Sequence, residues 1–256
     1  MKISIITVCY NSAGTLGDTL DSVAIQNYLD IEHIIIDGGS TDGTRAMLES
    51  GRGCVTHWQS EPDRGIYDAM NKGLALASGE VIGFLNADDV YTHPDVLSRI
   101  AEVMQDDTMD ACYANLYYVD RWKTDNVRRV WRSRDFEAGL CKRGWMPAHP
   151  TFYVRKTVYQ RLGSFNTDYR LQADFDLCMR FLEIHRINAK FIDEFWVRMR
   201  MGGASNNSVR NVIKGNWEAY AACRRSGLKV PPWFILTKVL SRLGQFADRS
   251  SHKIVS

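Results

Sequence analysis

The six cysteines, Cys9, Cys54, Cys112, Cys141, Cys178 and Cys223, are scattered, and no C-x-x-C pair occurs among them. A structural zinc needs clustered ligands, so this spacing argues against one and fits a reducing, cytoplasmic setting. No apolar run approaches the roughly 18 residues of a membrane-crossing helix. The start, Lys2 and then a short apolar run from Ile3, is followed by Asn11-Ser12 without a small-residue cleavage site. It reads as a strand, not a secretory signal. An excess of one charge is also missing: 32 Lys and Arg face 30 Asp and Glu, for a net charge of +2 and a pI near 8.2. That balance gives no argument for a nucleic-acid partner. The common phosphate loops are absent. No G-x-G-x-x-G follows the first strand, which argues against a dinucleotide fold, and no G-x-x-x-x-G-K-[ST] occurs. Ser40-Thr41-Asp42-Gly43-Thr44 lacks the leading aspartate that an aspartyl-phosphate phosphatase would use as nucleophile. A nucleotidyltransferase would need a Gly-rich stretch with Lys or Arg after the first strand, and none is there.

What is present is α/β alternation. With 256 residues, 45% of them hydrophobic, the chain can form one large α/β domain with a tail, or two small domains. Ile3 to Cys9 is β-branched and apolar and reads as a buried strand. Leu16, Leu20 and Val23 start a helix, Ile31 to Ile36 is a second strand, Arg45 to Glu49 can be helical, and Cys54 to Gln59 is a third strand. Ile66, Met70, Leu74 and Ala77 fall at helical spacing and predict one buried face. Ser78-Gly79 ends that helix, where a left-handed glycine is cheap. Val81 to Leu85 suits a strand covered on both faces. Such alternation predicts a mostly parallel sheet with right-handed crossovers. Ligands of open α/β sheets bind at the carboxyl ends of strands. The polar loops around Asn11, Asp37 and Asp88 should therefore line one crevice. Asn86, Asp88 and Asp89 arrive there together, and a hard divalent cation bridging to phosphate would relieve the repulsion of the two carboxylates. A polar loop with a helix cap before Pro94 accounts for the same residues.

Beyond Asp89 the pattern loosens. Pro94 to Met104 reads as a helix, Asp110 to Val119 as a strand, Phe152 to Val154 as a strand before a helix from Lys156, and Phe191 to Met199 as a last strand. Arg121 to Arg143 is basic and carries Trp122 and Trp131; a solvated loop or hairpin and a contact to an anionic acceptor both remain open. Tyr169 to Asp176 opens another helix with Leu177, Phe181 and Ile184 inward, and Asp174 and Asp176 near its N-terminus, where they could simply cap it. Gly202 to Ser205 reads as a flexible turn. The tail from Arg224 is basic. Trp233, Leu236, Val239, Leu240, Leu243 and Phe246 lie on one helical face, which can rest on an anionic membrane or on the chain's own domain.

The segments S-I-I-T-V-C-Y-N-S, I-I-I-D-G-G-S-T-D-G-T, S-E-P-D-R-G-I-Y-D-A-M-N-K-G and G-E-V-I-G-F-L-N-A-D-D occur in order between residues 3 and 90. With this order and spacing the chain resembles family 2 glycosyltransferases of the GT-A fold, a Rossmann-like central sheet flanked by helices. The likeness is greatest to bacterial members that build exopolysaccharide and lipopolysaccharide, of the colanic-acid type. It continues more weakly to about residue 205 through H-P-T, A-D-F-D and M-G-G-A-S. The resemblance implies a GT-A domain over 1–205, with a nucleotide-binding half to 90 and an acceptor-binding half beyond, and a helical extension over 206–256. It implies Asp37 as acceptor from the nucleobase, Thr7 and Tyr10 lining the base pocket, Asn11 beside them, and Arg64 near base or phosphates. N-A-D stands where the family has D-x-D, so Asp88 is implied as metal ligand with Asp89 in support, and Mg²⁺ or Mn²⁺ as cofactor. Asn86 departs from the pattern and removes one charge, which leaves strict metal dependence open. Asn86 can still hydrogen-bond ribose or a metal-bound water. Asp174 matches the catalytic base, Asp176 is its runner-up, and His149 falls on the acceptor side. The activity implied is inverting transfer from a nucleotide-sugar donor, a UDP-sugar, to a lipid-linked or oligosaccharide acceptor. The setting implied is cytoplasmic, with the basic tail touching the inner face of the membrane. The rivals are a metal-independent transferase and a non-catalytic nucleotide-sugar-binding subunit of a polysaccharide assembly complex.

Overall fold

The computed structural model describes residues 1–202, 209–231 and 233–238. The fully buried strand β1 (Ile3–Cys9) lies between β2 (Ile31–Asp37) and β4 (Val81–Phe84), parallel to both, and β3 (Val55–Ser60) extends the parallel set. Their apolar, β-branched runs fit, because a parallel sheet is covered on both faces. The second half changes character. Strand β8 (Tyr153–Arg155) joins β4 antiparallel, and β6 (Ala111–Val119) follows it antiparallel. β9 (Ala189–Arg200) runs parallel to β6 and carries the short β5 (Asp89–Tyr91) on its far side. The order of the nine-stranded sheet is β3-β2-β1-β4-β8-β6-β9-β5. Strand β7 (Val127–Trp131) pairs with β6 as a hairpin, so part of the basic Arg121–Arg143 segment is sheet.

Helices flank the sheet: α1 (Leu16–Ala24), α2 (Thr44–Glu49), α3 (Ile66–Leu76), α4 (Val96–Met104), α5 (Lys156–Leu162) and α6 (Ala173–Met179). Helix α3 keeps Met70, the partly buried Leu74 and the capping Ala77 of its expected face against the core and differs at Ile66. Its buried residues are Tyr67, Ala69, Met70 and Gly73, whereas Ile66 is exposed and lines a crevice. The helix approaches β1 so closely that a Cβ on Gly73 would lie 2.4 Å from Ile6 Cγ2. It ends with Ala77 in extended conformation, not on a left-handed Gly79. Gly79 serves a close approach instead: a Cβ there would stand 2.5 Å from Ser4 Oγ. Ile184 faces outward, not inward as its spacing suggests. Helix α6 continues into a single π turn, Arg180–Ile184, whose wider pitch keeps Phe181 buried and turns Ile184 to the surface.

Helix α7 (Val209–Arg225) packs Ala219, Ala222 and Cys223 into the same core as β1 and α6. From the following segment, Phe234 is buried at 6.2 Å from the rings of both Phe175 and Tyr220, a burial that contributes about 1.5–3 kcal/mol. Lys238 is buried as well, donating to Gln172 Oε1 at 2.6 Å. Of the expected tail face, Trp233 and Leu236 are exposed, and Val239, Leu240, Leu243 and Phe246 lie outside the described residues, as do Gly203, Ala204 and Ser205. Among the described residues no helix is long and apolar enough to cross a membrane.

Candidate active site

The carboxyl ends of β1 and β4, the start of α3, the turn His149–Thr151, the start of α6 and one face of α7 surround a crevice of about 870 Å³. Its first wall is the segment after β1. Tyr10 is 63% exposed there. Asn11 takes the left-handed conformation (φ 49°), which its short amide side chain tolerates. Its backbone N–H donates to Ser40 Oγ at 2.7 Å and its Oδ1 accepts from the Thr41 N–H at 2.9 Å. Trp122 rests on this segment: a Cβ on Gly14 would be 3.3 Å from its ring.

Asp37 and Thr7 lie behind that wall. Asp37 is fully enclosed. One oxygen accepts from the Ser40 hydroxyl and from Cys9 Sγ (3.5 Å); the other accepts from the Ser40 N–H (2.9 Å) and the Ser60 hydroxyl (2.6 Å). Burial works to raise this carboxyl, and the serine hydrogen bonds outweigh it and leave it below the ordinary aspartate value. Thr7 is equally enclosed, with its hydroxyl 3.0 Å from His33 Nε2. Burial pushes His33 down to about 3, so that ring is neutral. Neither residue lines the crevice. Arg64 points away into solvent and pairs with Asp68 at 2.9 Å.

The acidic cluster is split by burial. Asp88 and Asn86 line the crevice, whereas Asp89 begins β5 and is fully buried. Burial, and then the neighbouring Asp88 charge, push Asp89 well above the ordinary range. Burial also raises Asp88, against the pull of Arg200 and Arg121. Arg200 closes β9. It donates to the Asp88 carbonyl (2.8 Å) and the Arg121 carbonyl (2.8 Å), and pairs with Asp18. Asn86 Oδ1 and both Asp89 carboxylate oxygens are buried and accept no hydrogen bond. Among the described residues no group of three or more His, Cys, Asp and Glu side chains is placed to hold a metal. Of the acidic cluster, then, one carboxylate lines the crevice, Asp88, beside the Asn86 amide whose Oδ1 accepts no hydrogen bond. That donor set fits a hard cation whose remaining ligands are phosphate oxygens and water.

At the other side stands Asp174, in the first turn of α6. Its Oδ1 accepts from the Tyr67 hydroxyl (3.1 Å) and the Phe175 N–H (2.8 Å), and among the described residues Oδ2 takes no hydrogen bond. Burial, then the Asp174 charge, hold the Tyr67 phenol well above its ordinary value, so it remains a donor. Phe165 stacks on Tyr67 at 5.6 Å and meets His149 edge-on at 5.5 Å. His149 lines the crevice; burial lowers its pKa against the opposing pull of Asp174 and keeps the ring neutral. Asp176 does not reach the crevice. It is buried against Arg180 at 2.9 Å, so the runner-up base is a structural ion pair.

The structure therefore brings together Tyr10, Asn11, Asn86, Asp88, His149 and Asp174, and leaves out Thr7, Asp37, Arg64, Asp89 and Asp176. Sequence reasoning missed Tyr67 and Arg200, and also Asp63, which lines the crevice. Tyr67 had a signal in the motif I-Y-D-A-M-N. Arg200 had none, because its acid partner stands 182 residues away.

These features coincide with what the chain matches. Residues 4–168 fit the glycosyl transferase family 2 model, and the chain belongs to that family. It is 33% identical, over 184 residues, to an uncharacterized glycosyltransferase of Mycobacterium tuberculosis, a match that takes in 70% of this chain and 68% of that protein. Solved structures share the fold. S. aureus TarS superposes with a TM-score of 0.64 at 15% identity, over 97% of this chain and 43% of TarS, so the chain spans less than half of that protein. A shorter form of TarS was solved in complex with UDP. The mannosyltransferase PcManGT from Pyrobaculum calidifontis, in complex with GDP-Man and Mn²⁺, superposes with a TM-score of 0.65 at 20% identity, over 98% of this chain and 76% of that one. The central sheet with flanking helices is the GT-A fold of these proteins.

Proposed function

We propose that the protein is an inverting glycosyltransferase that moves a sugar from a nucleoside-diphosphate donor, a UDP-sugar, to a hydroxyl of a lipid-linked or oligosaccharide acceptor. The observation that carries this reading is the Asp174 carboxylate at the crevice: one oxygen is pinned by Tyr67 and the Phe175 N–H, and the other has no hydrogen-bond partner among the described residues. Inversion needs one such group. The carboxylate takes the proton of the acceptor hydroxyl as that oxygen attacks the anomeric carbon, and the bond to the diphosphate breaks in the same displacement. His149, held neutral, is suited to hydrogen-bond the acceptor. Tyr10 and Asn11 form the nucleotide wall. Asp88, with Asn86 beside it, would hold Mg²⁺ or Mn²⁺, and that ion when bound neutralises charge developing on the leaving diphosphate. The complexes of TarS with UDP and of PcManGT with GDP-Man and Mn²⁺ support a nucleotide crevice.

Membrane contact belongs to the same reading. Ile213 and Trp217 are exposed on α7 at helical spacing from Arg210 and Lys214, Trp233 and Leu236 are exposed in the segment that follows, and such apolar and basic residues suit an anionic bilayer. The protein should sediment with anionic liposomes, less so after Trp217→Ser; absence of sedimentation for the native chain would remove membrane docking. For catalysis the test is Asp174→Asn. It should abolish transfer while leaving UDP affinity within about threefold, since it removes a proton acceptor and not a donor contact. Full activity in that variant would remove the base assignment.

A further inference from the structure

We infer that the acceptor is acidic: Arg170 and Asn216 form a subsite for its anionic group, a phosphate or a carboxylate, on the Asp174 side of the crevice. The inference rests on the glycosyltransferase reading and deepens it. Both residues line the crevice, and both lie beyond the residues 4–168 that match the family model. Asn216 is on α7 and only 6% exposed, yet its amide makes no hydrogen bond among the described residues. A buried amide without a partner destabilises a fold, so its place in the crevice wall fits a group kept for a ligand. Arg170 precedes Asp174 by one helical turn's worth of chain and is exposed. Its guanidinium makes no hydrogen bond or ion pair among the described residues.

The surrounding contacts hold the two in place. The Leu171 N–H donates to Glu218 at 2.8 Å, which ties the Arg170 loop to α7. The helix meets that loop at Gly215, where a Cβ would stand 3.4 Å from Gln172 Nε2 and 3.6 Å from Leu171 Cβ. Gln172 also lines the crevice, but its Oε1 accepts from Lys238 (2.6 Å) and its Nε2 donates to the Leu171 carbonyl (3.0 Å). Gln172 is scaffold, and Arg170 and Asn216 are the donors left over. A guanidinium fork with an amide N–H suits the oxygens of a phosphate or a carboxylate, and a neutral sugar has no use for the charge. The donor diphosphate is assigned to Asp88 at the other side of the crevice, so this second anion belongs to the acceptor. Ile213 and Trp217, exposed on the same helix, would place a phosphate that joins sugar to lipid beside the surface proposed to meet the bilayer.

The test is calorimetry on the full chain saturated with UDP and Mg²⁺, so that the donor site is filled. Glucose 1-phosphate, farnesyl diphosphate, glucuronate and methyl glucoside are titrated in turn. At least one of the three anions should bind about tenfold or more tightly than the neutral glucoside. Arg170→Gln should weaken that anion by about tenfold or more, the cost of a lost charge-assisted hydrogen bond, and leave UDP affinity within about threefold. Asn216→Asp, which puts a carboxylate of the same shape in the wall, should do likewise. Binding of farnesyl diphosphate alone assigns the group to a lipid linker; binding of glucose 1-phosphate or glucuronate assigns it to the sugar. Anion binding that survives both substitutions, or no anion preferred over the glucoside, would overturn the subsite. Loss of UDP affinity in Arg170→Gln would move that residue to the donor and overturn it also. If the native chain binds no UDP, the nucleotide reading fails; Arg170-dependent anion binding by the UDP-free chain would then still support the subsite, and its absence would overturn it.

Discussion

Arg200 concentrates several tasks in one buried cation. Its guanidinium bonds the carbonyls of Asp88 and Arg121 and pairs with Asp18, so it fixes the crevice strand end from behind. Lysine carries one compact ammonium and cannot span these acceptors in a planar fork. Arg200→Lys should therefore cost about 1–3 kcal/mol in urea denaturation, through acceptors left unpaired, and weaken nucleotide binding. An unchanged midpoint would show that the three contacts are dispensable. Asp37 gives a pH prediction. Its folded pKa lies below the ordinary 3.8, so its contribution is present above that value and is lost as pH falls through the depressed folded one. Asp37→Asn should lower the melting temperature at pH 7 and flatten the fall below about pH 4; parallel acid limbs for the two proteins would contradict this linkage. At this scale the sequence carried the chemistry of Asp88 and Asp174 but not its accessibility. Thr7, Asp37 and Asp89 stand in the right motifs, and their enclosure depends on neighbours that only the fold supplies.

Helix α3 shows what element-level patterning reads and misses. Its existence follows from spacing, yet the buried face is centred on Tyr67, Met70 and Gly73. Glycine carries no hydrophobic signal, and Ile66 is apolar but exposed because it borders the crevice. In an exposed helix interior, Gly→Ala gains up to about 1 kcal/mol. At Gly73 the added Cβ would meet Ile6 at 2.4 Å, so the sign reverses: Gly73→Ala should destabilise by about 1–3 kcal/mol, read from the thermal midpoint. A rise in melting temperature would mean that α3 moves off β1 easily. The π turn after α6 was likewise invisible, since an extra residue per turn leaves no mark in composition. Strand β1 was legible because it is buried on both faces and wholly β-branched or apolar over most of its length.

For the molecule as a whole, the main strands and helices of both halves were readable, and the way the second half pairs was not. Parallel pairs join strands separated by helices, a pattern written along the chain. The antiparallel pairs of β8 with β4 and of β5 with β9 connect distant segments, and no local signal specifies them. The C-terminal segment is part of this assembly. Phe234 and Lys238 pack against α6, the helix that carries Asp174. Removal of residues 231–256 should therefore lower the thermal midpoint as well as any membrane affinity.

The most direct test of the account is titration of nucleoside diphosphates into the native protein by calorimetry, with and without Mn²⁺. A ligand that binds only the folded state also raises its melting temperature by mass action, which gives a second reading of the same event. Saturable binding of UDP, strengthened by the metal and weakened in Asp88→Ala, is the predicted result. A folded sample that binds no nucleotide under either condition would contradict it.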